Sequence, residues 1–294
     1  MEYLPEYFQG ILLENLKDGD LAKLSSESEY YNDIQFSKSK LNEIKKLLNL
    51  KEISNMEKFN KLIKLSDVIL SEELNLGNSN IHSFDIFSGQ TFSNLKILDL
   101  DHNEISSFEG LSEKIFPMLK SLNLWKNKIS SFKGLSGKIF PNLEELILEN
   151  NEITSFEGLS REIFPNLGKL YLEHNQISSF EGLSEKTFHN LKELDLGNNN
   201  ITSFEKLFPY IFPNLETLLL SNNLITSFEG LSEKIFNNLI SLYLDGNQIS
   251  SLEGLSEETF PNILEIHIYN NGIIHEEDIN KIKDMFPDKI VDFS

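Results

Sequence analysis

Residues 140–163 read FPNLEELILENNEITSFEGLSREI, and this 24-residue stretch is repeated almost without change along most of the chain. Phe92, Phe116, Phe140, Phe164, Phe188, Phe212, Phe236 and Phe260 keep a constant step of 24, as do Asn103, Asn127, Asn151, Asn175, Asn199, Asn223, Asn247 and Asn271. A fixed period of this length is the signature of a solenoid, in which each unit is one supersecondary element that cannot bury its apolar face alone. Eight clear units run from Phe92 into Asn271, and a degraded one precedes them around Leu74-Asn75-Leu76 and Ile81.

Each position has a physical reason. Leu143, Leu146 and Leu148 follow L-x-x-L-x-L, so the leucines of a short strand face inward and their neighbours outward. Asn151 stands where the chain leaves the strand. Stacked asparagine amides there satisfy backbone groups that would otherwise be buried without partners. Ile153, Phe156 and Leu159 return along the far side. Phe164 fills the closing turn after a short helical or irregular stretch, and Pro165 restarts the next strand.

The pattern N-x-I-x-S-F-E-G-L at Asn151–Leu159 resembles the short cytosolic leucine-rich repeats of a protein-phosphatase regulatory subunit and of bacterial internalins. The spacing of Phe164 and Leu167 is similar to the 24-residue repeats common in extracellular proteins. The resemblance covers about 200 residues. It implies an α/β solenoid, a leucine-rich-repeat horseshoe with a parallel concave sheet, and protein binding as the shared activity.

Three segments are expected: a helical N-terminal region at 1–67, the repeat array at 68–272 and a helix–strand C-terminal cap at 273–294. In the last, Ile279, Ile282, Met285 and Phe286 share one helical face, followed by Ile290, Val291 and Phe293. Glu276-Glu277-Asp278 suits the start of that helix, where negative charge complements the dipole. It also resembles the acidic C-terminal segments of effectors exported by intracellular pathogens such as Legionella. In the first region Leu41, Ile44, Leu47 and Leu48 form one amphipathic stripe, and Phe59, Leu62 and Ile63 another. Residues 4–31 resemble an F-box without gaps: Leu4-Pro5, Leu12-Leu13, Leu16, Asp20-Leu21, Leu24-Ser25, Ser28 and Tyr31. That resemblance implies a ubiquitin-ligase scaffold as partner, contacted by Leu4, Pro5, Leu12 and Leu13. Glu27 and Gly10 depart from the pattern, and a helical cap over the first coil is the alternative.

The repeats differ from one another where the strand points outward. Between the strand leucines lie Asp99, Asn123, Ile147, Tyr171, Asp195, Leu219, Tyr243 and His267. Just after the second lie Asp101, Trp125, Glu149, Glu173, Gly197, Ser221, Asp245 and Tyr269. These columns should line one sheet surface, free of packing duty, with Trp125, Ile147 and Tyr171 in one apolar patch and Leu219, Tyr243 and Tyr269 in another. Aromatic side chains ringed by charge are the composition of binding hot spots. With Glu145 and Glu193 the face is acidic, Lys126, Lys128 and Lys169 being the minority. The expected partner is another protein with a basic or mixed surface.

A net charge of −20 disfavours nucleic acid and anionic membranes as partners. The chain has no cysteine, which excludes thiol catalysis and cysteine–zinc sites and points to a reducing compartment. The stretch MEYLPEYFQGILLENL lacks the basic start of a secretory signal. A cytoplasmic location follows as the expectation, in the chain's own cell or in a host. No cofactor is expected and no enzyme activity. Carboxylates on an open face have nothing to raise a pKa for acid catalysis, and His102 and His174 stand three coils apart, about 14 Å, too far for one metal ion. His82, His189, His267 and His275 have no ligand spacing, and no phosphate loop or nucleophile elbow is present.

Overall fold

The computed structural model describes residues 71–88, 90–135, 137–183, 188–231, 236–272 and 275–292. The helical region expected at 1–67, with its F-box-like stretch at 4–31, and Phe293 lie outside them. Ten three-residue strands form one parallel sheet in chain order: β1 Glu73–Asn75, β2 Ile97–Asp99, β3 Ser121–Asn123, β4 Glu145–Ile147, β5 Lys169–Tyr171, β6 Glu193–Asp195, β7 Thr217–Leu219, β8 Ser241–Tyr243, β9 Glu265–His267 and β10 Ile290–Asp292. From β1 to β9 each residue pairs with the residue 24 positions on, as Leu122 pairs with Leu146 and Leu146 with Leu170. The degraded first unit is therefore a full coil: Leu74, Leu76, Ile81 and Phe84 are all buried.

Two columns of phenylalanine stand behind the leucines. Phe84, Phe108 and Phe132 stack at ring separations of 6.0 and 6.2 Å, nearly parallel, and Phe156–Phe180 and Phe204–Phe228 do the same. Strands pair about 4.8 Å apart. The wider spacing behind the sheet bends the stack so that the sheet lines its inner side. Ring stacking adds a directional preference to burial of the apolar area.

The asparagine ladder fixes the corner after each strand. Asn151 Nδ2 donates to the carbonyls of Leu124 and Leu148, and its Oδ1 accepts from the Ile129 N–H of the preceding coil. The residue just before the ladder position takes a left-handed conformation in all nine coils, from Asn78 at φ 54°, which precedes Ser79, to Asn270 at φ 54°. Asparagine tolerates that region best among residues with a Cβ. His102, Lys126 and His174 occupy it as well.

The far side differs from an α/β solenoid. Among the described residues the only helices are a 3-10 turn at Phe84–Phe87 and α1 at Glu276–Met285. Elsewhere the return path is a chain of turns. The reason lies in the unit itself: only four residues, as Ser160–Ile163, separate the S-F-E-G-L turn from the F-P-N corner, and a marginal helix needs more. The turn also needs glycine. Gly158 sits at φ 92°, and a Cβ there would stand 3.1 Å from the Phe132 carbonyl.

At the C-terminal end α1 buries Ile282, Phe286 follows it into the core, and β10 pairs with β9. His275 precedes α1 without a side-chain capping bond, and Glu276, Glu277 and Asp278 fill its first turn. No helix among the described residues is long and apolar enough to cross a membrane.

Candidate functional site: the inner sheet face

The central residue of each strand from β1 to β9 is buried, leucine in β1–β8 and Ile266 in β9, so its neighbours form three outward columns across the sheet. The middle column follows the strand register: Asp99, Asn123, Ile147, Tyr171, Asp195, Leu219, Tyr243 and His267 stand side by side. Ile147 is directly opposite Tyr171, and Leu219 directly opposite Tyr243. Tyr243 stacks on His267 at 4.5 Å with the planes 7° apart. Its hydroxyl donates to Glu265, which also accepts from Ser241 at 2.5 Å. That hydroxyl of Ser241 holds the Glu265 carboxyl below its ordinary value.

Trp125 leans toward the preceding coil. Its indole meets His102 edge to face at 4.6 Å, and Lys126 Nζ lies over the ring at 4.4 Å. Trp125 follows β3 and its ring contacts run toward the preceding coil, away from the Ile147 and Tyr171 with which it was expected to group. A cation over an indole stabilises by about 0.5–1 kcal/mol at an exposed site.

Several residues expected to be free of packing duty are not. Asp99, Asn123 and Asp195 each accept the backbone N–H two residues on, from Asp101, Trp125 and Gly197. Short carboxylate and carboxamide side chains form this local loop readily, so the middle column stitches the strand ends as well as facing solvent. Asp245 is only 8% exposed and accepts from Ser221 Oγ and from the Tyr269 N–H. Tyr269 itself is exposed.

The expectation that nothing on the face raises a carboxyl pKa is corrected at Asp195. Burial pushes it up to about 6, against the N–H of Gly197, and the charges of Glu173, Glu149 and Glu193 push the same way. Glu149 is raised by burial and by Glu173. Asp99 and Asp245 are raised chiefly by burial, as are Tyr171 and Tyr243. The cause is curvature and crowding: carboxylates on successive strands shield one another from water. Gly197 contributes by omission, since a Cβ there would stand 3.3 Å from Glu173 Cγ. Asn198 Nδ2 steadies the same Glu173 at 2.8 Å.

Glu149, Glu173 and Asp195 each bring a carboxylate oxygen within 4.8 Å of the others, and they are the one group of three such side chains among the described residues close enough to share a cation. Histidine spacing gave no hint of them; the signal was acidic residues in adjacent columns of consecutive units. The sequence reading also missed a second asparagine ladder at the F-P-N corner, where Asn142, Asn166, Asn190 and Asn238 donate to the carbonyls of Pro117, Pro141, Pro165 and Pro213.

Residues 117–161, 165–209 and 213–257 match the family model described as leucine-rich repeats (2 copies). In structure the chain is similar to internalin C2 from Listeria monocytogenes, at 20% identity and a TM-score of 0.50, covering 86% of this chain and 91% of that one. It is also similar to a leucine-rich-repeat protein from Bacteroides thetaiotaomicron, at 21% identity and a TM-score of 0.48, covering 69% of this chain and 24% of that one. No curated protein matches the sequence. The matched segments are leucine-rich repeats, and the described residues wind them into a parallel-strand solenoid.

Proposed function

We propose that this chain is a non-catalytic binding protein that holds another protein against its inner sheet face and can block a surface of that partner. The observation that carries the reading is the placement of Ile147, Tyr171, Leu219 and Tyr243 in one sheet column, with Trp125 and Tyr269 in the next. The return stretch S-F-E-G-L-S-E-K hardly varies between units, whereas these columns do. A duplicated array that differs chiefly on one face has been shaped at that face.

The acids Asp99, Asp101, Glu145, Glu149, Glu173, Glu193 and Asp195 favour a partner with a basic or mixed surface, drawn in by long-range attraction. The absence of cysteine supports a reducing, cytoplasmic setting. The acidic C-terminal segment supports export into a host cell as one such setting. Affinity capture from cytosol with wild type and with Trp125→Ala/Tyr171→Ala tests the reading. The same protein should be recovered by wild type and lost by the variant; equal recovery by both removes the inner face from the reading.

The gapless F-box match at residues 4–31 supports a narrower version, in which the chain brings its captured partner to a ubiquitin-ligase scaffold. Recombinant scaffold adaptor would then bind wild type and not Leu4→Ala/Pro5→Ala. No binding by either removes the adaptor role and leaves the inner-face reading intact.

A further inference from the structure

The middle column of the sheet carries three carboxylates, and two of them have side-chain partners. Asp99 receives the amides of Asn75 and Asn123 at 3.2 and 2.9 Å. Asp292 faces His267 at 3.8 Å. Asp195 takes only the Gly197 N–H, at 2.8 Å, and no side chain among the described residues donates to it. The basic groups nearest to it in the array are engaged elsewhere: Lys169 with Glu193 at 3.6 Å, and His174 beside Glu173 at 3.7 Å. Burial and the charges of Glu173, Glu149 and Glu193 push its carboxyl up to about 6, as befits a carboxylate with no counter-ion.

Apolar side chains stand on both sides of Asp195. Strand register puts Tyr171 directly on one side and Leu219 on the other, with Ile147 beyond Tyr171 and Tyr243 beyond Leu219. All five residues are half-buried. Over the consecutive strands β4 to β8 the row therefore reads apolar pair, carboxylate, apolar pair, an order found once in the column. Gly197 follows Asp195 on the same face and has no side chain to cover it. A Cβ there would stand 3.2 Å from Asp195 Oδ1. The carboxylate thus stays reachable between its two apolar walls.

We infer that this row docks an extended partner segment in which one lysine is flanked, two residues away on each side, by apolar residues. The inference rests on the reading of the inner face as the binding face and names what that face recognises. Charge complementarity selects a cation for Asp195, the one carboxylate of the row without a side-chain partner. Geometry selects lysine over arginine. Oxygens of Asp195, Glu149 and Glu173 lie within 4.8 Å of one another. One oxygen of Asp195 and one of Glu173 are taken, by the Gly197 N–H and the Asn198 amide. An ammonium turns three donors to three separate oxygens, whereas a guanidinium fork is suited to both oxygens of one carboxylate. The lysine stem covers the apolar walls on its way in. Spacing selects the extended form. The middle of each apolar pair stands one and a half strands from Asp195, about 7 Å. Alternate residues of an extended chain fall on one side about 6.6 Å apart, and side chains leaning into a concave face converge by that little. On a helix the matching positions i, i+4 and i+8 swing about 80° around the axis.

The test uses the full chain and fluorescent peptides that alternate leucine, serine, a variable residue, serine and leucine within a glycine–serine frame. The variable residue is lysine, arginine or uncharged norleucine, and a fourth peptide has the lysine composition in scrambled order. Anisotropy should show the lysine peptide binding about tenfold more tightly than the norleucine and scrambled ones, with arginine between. Asp195→Asn should weaken the lysine peptide about tenfold and leave the norleucine peptide unchanged. The amide oxygen still accepts the Gly197 N–H, so the circular dichroism spectrum should not move. Equal binding of the norleucine, arginine or scrambled peptide, or indifference to Asp195→Asn, overturns the inference. If cytosolic capture is lost with Trp125→Ala/Tyr171→Ala while the peptides are not distinguished, the lysine seat fails and the inner-face reading stands. If capture ignores that variant while the lysine peptide needs Asp195, the seat stands and the capture reading fails.

Discussion

Asn151 donates its side-chain N–H to the Leu124 carbonyl of the preceding coil at 2.9 Å, and so joins two coils that share no covalent constraint other than the chain. The same amide reaches Leu148 at 3.0 Å, and its oxygen takes the Ile129 N–H at 2.9 Å. Removing it strands the Ile129 N–H in a buried corner, while the Leu124 carbonyl keeps Asn127 and the Leu148 carbonyl keeps Asn175 as donors. An unsatisfied buried group costs about 1–3 kcal/mol. Asn151→Ala should therefore destabilise by about 2–3 kcal/mol in urea unfolding. In a solenoid the loss falls on a nearest-neighbour interface, so the transition should also broaden as the two sides uncouple. Asn142→Ala, in the more exposed ladder to Pro117, should cost about 1 kcal/mol. Equal effects at the two positions would deny the inner ladder its role.

The turn glycines admit a second prediction. Gly254 lies at φ 87°, and a Cβ there would stand 2.2 Å from the Phe228 carbonyl oxygen. Backbone cannot step aside as a side-chain tip can. Gly254→Ala should destabilise by about 2 kcal/mol or more, from the clash and the left-handed conformation together. The same change at Gly168, whose nearest neighbour would be 3.5 Å away, should shift stability by less than about 1 kcal/mol. Thermal unfolding of the pair checks the contrast; matched losses would refute the close-approach account.

The coil was legible in the sequence because a period of 24 lets every unit vote for the same assignment. Leu143, Leu146, Leu148, Asn151 and Phe156 each recur, so their common burial could be read without a structure. What escaped was whatever depends on spacing between units. That Asn142 reaches the carbonyl of Pro117 needs the corner geometry of two coils, and the helix content of the return path needs the distance left between Gly158 and Phe164. The site was half legible. Alternation placed Ile147 and Tyr171 outward, but it could not show that Asp195 bends back onto the Gly197 N–H or that Asp245 is covered by its neighbours. The exposed Ile240 and Leu264 escaped because the residue column at the strand entry begins as paired ions, Lys96 with Glu72 and Lys120 with Glu144, and changes character only in the last coils.

Asp195 gives a pH dependence whose sign follows from its environment. Its carboxyl titrates near 6 in the fold and near 3.9 when unfolded, so ionising it opposes folding. The penalty is present above pH 6 and vanishes as the pH falls below about 4. Asp195→Asn keeps an oxygen for the Gly197 N–H and removes the charge. It should stabilise by about 1 kcal/mol at pH 7.5, after allowance for solvent screening, or about 2–4 °C in Tm for an array of this size. At pH 4 the two proteins should melt together. A gain that is the same at both pH values would show that burial of the charge is not the cause.

Binding and stability should separate at Trp125 and Tyr171. Both side chains are half-exposed, and neither belongs to the buried leucine, phenylalanine or asparagine columns. Trp125→Ala/Tyr171→Ala should therefore lower stability by less than about 1 kcal/mol. Loss of the ring that lies under Lys126 accounts for part of that. Against the captured partner the same variant should lose about 2 kcal/mol or more, a weakening of about thirtyfold, carried mainly by faster dissociation. The acidic columns act on the other rate. Raising the salt from about 50 to 500 mM shortens the range of surface charge from roughly 14 to 4 Å, so association should slow in wild type and variant alike while dissociation changes little. Surface plasmon resonance at the two salt concentrations separates the rates. A salt effect confined to dissociation would place the charged contacts in a buried interface instead of around the aromatic residues of an open sheet.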